Sequence, residues 1–216
     1  MSRTDRTPRE RVRKALSHQE ADRVPFDLSS TQVTAISNTA YVNLRSYLGL
    51  PPEEPQTMDV GQQVCVPHDD VMQRLQVDTR GLFPLVSSNW NIDIHDEGDS
   101  WAFVDEWHCK HRMPKAGGHY FSLCQSPLAE TTLTRQAIDN LGWPDPADPR
   151  RWAGLRQRAE TFRREGYAVV LRGLSAGILE MACRLRPMDK FLMDLALDET
   201  VAMHLLAKIA ELKGRF

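Results

Sequence analysis

The sequence predicts a parallel α/β fold, and three observations carry that expectation. Short apolar stretches at 23–28, 77–83 and 168–172 alternate with segments of helical period. A capped basic helix opens near Thr7 and leads into the first of these stretches. From 91 to 123 the texture changes to alternation around Glu97-Gly98-Asp99, which marks an inserted antiparallel hairpin. An open sheet and a partial barrel share this rhythm, and periodicity does not separate them.

Thr7-Pro8-Arg9-Glu10 fits a capping box with proline at the first helical position, and the helix should run to about Ser17. "RVPFDL" then reads as a buried strand ending in polar Asp27, Ser29 and Ser30. From 34 to 48, Ile36, Ala40, Leu44 and Leu48 recur every four residues, until Gly49 and Pro51-Pro52 close that helix. "DDVMQRLQ" is a short amphipathic helix, and "VDTRGLFP" is the second strand. "HYFSL" adds a strand to the insertion after Gly117-Gly118. "GWPDPADPRRW" is a proline-rich connector in which Asp148 caps a helix opened by Pro149 and running to about Arg164. "YAVVLRG" is the third strand, and two short helices follow. "DETVAMHLLAKIAELKG" is a longer helix with its acids early and lysines late, and its Leu, Met and Ala stripe reads as core or, equally, as the face that a missing half would cover.

The 216 residues are 41% hydrophobic and 26% charged, enough to bury a core. A net charge of -2, without a basic tract, gives no reason to expect nucleic acid or an anionic membrane as partner. No apolar run approaches the roughly 20 residues of a membrane helix. "MSRTDRTPRERVRK" lacks a leader's apolar segment, so a cytoplasmic location is expected. Cys65, Cys109, Cys124 and Cys183 include no C-x-x-C pair and read as buried thiols.

The phrases "TPRERVRKALSHQEADRVPFDL", "VMQRLQVDTRGLF", "DEWHCKHRMPKAGGHYFSL", "WPDPADPRRWAGLRQRAE" and "FLMDLALDETVAMHLLAKIAELK" extend over nearly all of the chain. Together, in this order, they resemble the uroporphyrinogen decarboxylase superfamily, which includes the porphyrin decarboxylase and the cobalamin- and coenzyme M-dependent methyltransferases. The resemblance implies an incomplete (β/α)8 TIM barrel with about three of its eight parallel strands, an N-terminal helix and the inserted hairpin. Residues 1–216 then correspond to the N-terminal part of a barrel domain whose pocket lies at the C-terminal strand ends. The expected product is truncated or split, or completed by a complementary C-terminal chain.

Three departures turn the expected activity away from porphyrin decarboxylation. "DLSSTQV" stands where that enzyme has an arginine-rich segment for substrate carboxylates, and hydroxyls bring no charge to an anion. "GLFPLVSSNW" lacks its aspartate after the second strand, and "LEMACRL" lacks its pocket tyrosine. The resemblance then implies a corrinoid-linked methyltransferase as the complete protein, with zinc-thiolate chemistry in the missing half. Its partner would be a corrinoid protein or the complementary chain, and its substrate a small molecule. The alternatives are a non-catalytic binding or subunit-interaction module and, last, uroporphyrinogen decarboxylase itself.

The pocket candidates are polar residues at predicted strand ends: Asp27, Ser29, Ser30, Arg80 and Arg172. Structural roles compete for each, a turn cap for Asp27 and ion pairs for the arginines. "WHCKHR" brings His108, Cys109 and His111 close in sequence. On an alternating strand only Cys109 and His111 share a face, short of the three or four ligands zinc needs. No metal ligand or cofactor is therefore assigned to this chain. "GLSAG" after the third strand offers backbone N–H groups to an anion, with an ordinary turn as the simpler reading.

Overall fold

A computed structural model describes residues 7–130, 132–174 and 176–216. In chain order the elements begin with α1 (Pro8–Leu16), β1 (Ile36–Ser37), α2 (Asn38–Tyr47), β2 (Gln56–Asp59), β3 (Val64–Val66), α3 (Asp69–Arg74) and β4 (Thr79–Leu82). Then come β5 (His95–Glu97), β6 (Ser100–Val104), β7 (Lys110–Pro114), β8 (Ser122–Gln125), α4 (Arg135–Asp139) and α5 (Pro149–Trp152). The last are α6 (Leu155–Arg164), β9 (Ala168–Leu171), α7 (Ile178–Leu185), α8 (Met188–Leu197) and α9 (Glu199–Arg215). Two compact units share these elements: Met1–Pro84 with Trp152–Arg172, and Leu85–Arg151 with Gly173–Phe216.

In the first unit, α1 starts on the capping box the sequence spells out. The Thr7 N–H donates to Glu10 Oε2 at 2.9 Å and the Glu10 N–H to Thr7 Oγ1 at 3.2 Å, with Pro8 inside the first turn. Each side chain thus satisfies a backbone donor that the helix leaves open. β4 and β9 pair in parallel with register Thr79↔Ala168 through Leu82↔Leu171. Both α1 and α6 pack on β9.

The segment 23–28 is not a strand, which corrects the sequence reading. Phe26 O accepts the Asp78 N–H at 2.8 Å, but the Phe26 N–H goes to the Asp78 side chain instead of a ladder carbonyl. Pro25 has no N–H to add. The helix expected over 34–48 begins later because Ser37 caps it, accepting the Ala40 N–H at 3.2 Å. Ile36 and Ser37 instead join β1 to β3 in a small antiparallel sheet of order β1-β3-β2. The helix expected over 149–164 is broken into α5 and α6 at Gly154, whose φ of +73° is left-handed.

Polar contacts join α2 to α3. Tyr41, fully buried, lies 2.7 Å from His68 Nδ1 and accepts the His68 N–H at 3.0 Å. Arg45, 1% exposed, donates to Tyr41 at 3.1 Å and grips Asp70 at 2.9 and 3.0 Å. With two donors already on its oxygen, the Tyr41 hydroxyl proton points to Nδ1, leaving Nε2–H for Glu53 at 3.0 Å.

The second unit contains an antiparallel meander of order β5-β6-β7-β8, the predicted insertion grown to four strands. Its last strand is Ser122–Gln125 rather than "HYFSL", because Phe121 turns inward and meets Phe103 edge-on at 5.0 Å. The helical core includes Ile138, Met181, Leu185 and Phe191, together with Ala202, Leu205, Ile209 and Leu212 of α9. Those four recur at three- and four-residue intervals and pack as core, whereas Met203 of the expected stripe is about half exposed. The proline-rich connector is fixed by Arg151, 1% exposed, which donates to Glu106 Oε2 at 2.5 Å and Asp145 O at 2.7 Å. Among the described residues the fold is mixed α/β, with one parallel pair and two antiparallel sheets.

Candidate functional site

Asp78, immediately before β4, has a fully buried side chain. Arg11 donates to its Oδ1, and Arg23 holds both oxygens, at 2.7 and 3.0 Å. The Phe26 N–H adds a fourth bond at 2.8 Å. Arg11 also reaches Asp22 at 2.7 and 2.8 Å, and this hydrogen-bonded pairing holds the Asp22 carboxyl well below the carboxylate range. The same bonds raise the Arg11 guanidinium against the opposing effect of burial. A buried carboxylate needs such partners, and these occupy its lone pairs. The hub therefore positions the chain around it.

Downstream of the hub, residues 26–30 run beside β4 in its own direction. Phe26 meets Asp78, Asp27 Oδ1 accepts the Thr79 hydroxyl at 2.5 Å, and the Ser30 carbonyl lies against Gly81. A methyl group on Gly81 would sit 2.9 Å from that carbonyl, so the close approach requires glycine. Ser29 adopts φ +61°, and its N–H donates to Thr34 O at 3.0 Å. Ser30 is 0% exposed, and its hydroxyl has no hydrogen-bond partner among the described residues. Such a group costs about 1–3 kcal/mol when left unmade.

The structure thus gathers Asp27, Ser29 and Ser30 in one loop against β4. Arg80 lies on the opposite face of the strand from Thr79. Its guanidinium stacks 3.7 Å from the Tyr167 ring centroid and donates to Thr79 O at 2.8 Å. Arg172 follows β9, where its N–H donates to Leu82 O at 2.9 Å and its side chain lies 3.9 Å from Asp59. By strand direction Ser30 and Arg172 belong to the C-terminal end of the parallel pair, and Asp27 to its start.

The three residues of "WHCKHR" go separate ways. Asp105 accepts the Trp107 and Cys109 N–H groups at 2.9 Å each, making a tight turn with His108 at φ +63°. His108 reaches Gly142 O at 2.8 Å, while His111 bonds Asp105 at 2.9 Å and stacks on Phe103. Cys109 is fully buried, and burial raises its thiol far above the usual range. Among the described residues no group of three or more His, Cys, Asp or Glu side chains could hold a metal ion. In "GLSAG", Ser175 lies outside the described residues. Among those residues no helix is long and apolar enough to cross a membrane.

Sequence reading missed the Asp78 hub and the Tyr41–His68–Glu53 chain. One signal was available for the first: a carboxylate in the apolar run "VDTRGLF" requires buried cations, and the basic segment 9–23 supplies them. No protein-family model, curated protein or solved structure matches the chain.

Proposed function

We propose that the chain is the N-terminal part of a uroporphyrinogen decarboxylase-like barrel protein whose complete form is a corrinoid-linked methyltransferase. The parallel register of β4 with β9, with 26–30 running beside β4, supports this reading. Consecutive segments of a (β/α)8 protein lie side by side in this way and present polar residues at one end. In this reading Arg172, at the C-terminal end of the parallel pair, faces an anionic group of a small-molecule substrate, and the buried Ser29 and Ser30 set the loop behind it. Asp27 and Arg80 set the strand positions behind them. A complementary C-terminal chain would hold zinc, which would lower the pKa of the substrate's thiol so that it accepts the methyl group as the thiolate, and a corrinoid protein would be the partner. The activity resides in the completed protein.

A second reading, a subunit-interaction module, is favoured by apolar side chains along α8. Met188, Leu192, Met193 and Leu197 are between 52% and 80% exposed, and contiguous exposed apolar surface marks contact sites. Porphyrin decarboxylation ranks last, because the loop at Asp27–Ser30 offers hydroxyls and a carboxylate to a substrate that needs cations.

Zinc analysis of the purified chain tests the assignment of roles. Less than one zinc per ten chains is expected, and one zinc per chain would overturn it. Porphyrinogen turnover by the chain alone would instead establish the decarboxylase.

A further inference from the structure

α1 and α6 meet the same strand, β9, and leave a cleft of about 510 Å³ lined by Arg9, Glu160, Arg163 and Arg164. The Arg9 N–H donates to Gly166 O at 2.9 Å, two residues before β9 begins. The cleft therefore lies at the N-terminal end of the parallel pair, the end opposite Ser30 and Arg172. Three guanidinium groups stand there against one carboxylate, and that carboxylate is already 3.2 Å from Arg156.

The placement of Arg9 separates it from ordinary surface charge. Arg163 and Arg164 occupy the last turn of α6, where cations offset the helix dipole. Arg164 also donates to Thr161 at 3.2 Å. Arg9 is the second residue of α1, where the dipole disfavours a cation, so helix stability gives no reason for it. The charged ends of the two side-chain sets meet at one open cleft, where the positive end of α1 and the negative end of α6 offset each other, so the positive field there comes from the guanidinium groups. The backbone donors there are already used, Arg9 N–H by Gly166 and Glu10 N–H by Thr7, so recognition falls to the side chains.

We propose that this cleft binds a small phosphate-bearing ligand, whose charged oxygens bridge Arg9 of α1 and Arg163 and Arg164 of α6. Guanidinium forks match phosphate oxygens in pairs, which favours a phosphate or diphosphate group over a single carboxylate. The open cleft admits the anionic end of the ligand while the rest stays in solvent. Glu160 opposes binding and sets a threshold that a singly charged anion does not pass.

The test is isothermal titration of the full chain with inorganic pyrophosphate, and separately with inorganic phosphate, at constant ionic strength. Saturable binding at one site is expected, tighter for pyrophosphate. The double variant Arg9→Gln/Arg163→Gln should weaken it by at least about tenfold, as expected for lost charge-assisted bonds. Arg74→Gln, removal of one positive charge at an exposed position of α3, should leave it unchanged, and Glu160→Gln should tighten it. Thermal melting without ligand checks that each variant folds. No saturable binding by the unaltered chain, or equal binding by the double variant, would overturn the site. Equal weakening by Arg74→Gln would reduce it to general charge attraction.

Discussion

Arg23 holds Asp78 in a two-point pair, Nη1 to Oδ2 at 2.7 Å and Nη2 to Oδ1 at 3.0 Å, across 55 positions of sequence. Arg11 joins the same carboxylate from α1, so two cations and a main-chain N–H depend on one buried group. Replacing Asp78 with alanine leaves Arg11 buried without that partner and frees the Phe26 N–H. The expected loss is about 3–5 kcal/mol, as when one member of a buried pair is removed. Urea denaturation measures it, and a loss under about 1 kcal/mol, the scale of a surface change, would contradict the hub.

Acid should destabilise the same region. Hydrogen bonding by Arg11 holds the folded Asp22 carboxyl below its ordinary 3.8. Above that value both folded and unfolded chains carry the charge, and the stabilisation is complete. As the pH falls below it, the unfolded chain takes up the proton first, so stability drops until the folded carboxyl is also protonated. Asp148, lowered by bonds from Ser88 and Arg150, acts in the same direction in the second unit. Urea midpoints recorded from pH 6 down to about pH 2 should fall with acid, and less steeply for Asp22→Asn. Identical slopes would remove Asp22 from the account.

Gly81→Ala tests the approach of the 26–30 loop to β4. The added methyl would run into the Phe83 ring and stand 2.9 Å from the Ser30 carbonyl. The ring can move, but the carbonyl belongs to the backbone, so a cost of about 1–3 kcal/mol is expected. Full stability in the variant would mean that the loop does not lie there.

Thiol reactivity should sort the cysteines by burial. Cys65 is fully buried and its thiol is pushed up to about 11 by desolvation, and Cys109 is raised further. Cys124 is exposed. At pH 8 a disulfide reagent should modify Cys124 quickly and leave Cys65 and Cys109 protected until the chain unfolds. Cys124→Ser should abolish the fast phase. Rapid modification of Cys109 in the native chain would contradict its burial.

The legible parts of this fold are those set by local spacing. Thr7, Pro8 and Glu10 fix their own helix start, and the α9 stripe states which face is buried. Gly98, at φ +75°, marks the turn between β5 and β6 that the alternation announced. Long-range competition defeated the rest. "RVPFDL" has a strand's composition, yet the Asp78 side chain takes the N–H that would have entered a ladder. Asp105 likewise draws His108 out of β7 into a turn. β1, β2 and β3, two to four residues each, are too short for a period to show. At the candidate site, the loop of Asp27, Ser29 and Ser30 was visible as polar residues after an apolar run. The hub that holds it depends on pairs more than 50 residues apart.

Methyl transfer from methylcobalamin to a thiol tests the central claim most directly. The chain is assayed alone and after mixing with a candidate complementary C-terminal chain. The account predicts turnover only for the mixture, reduced when Ser30 and Arg172 are replaced by alanine. Turnover by the 216-residue chain alone, or a mixture indifferent to both replacements, would contradict it.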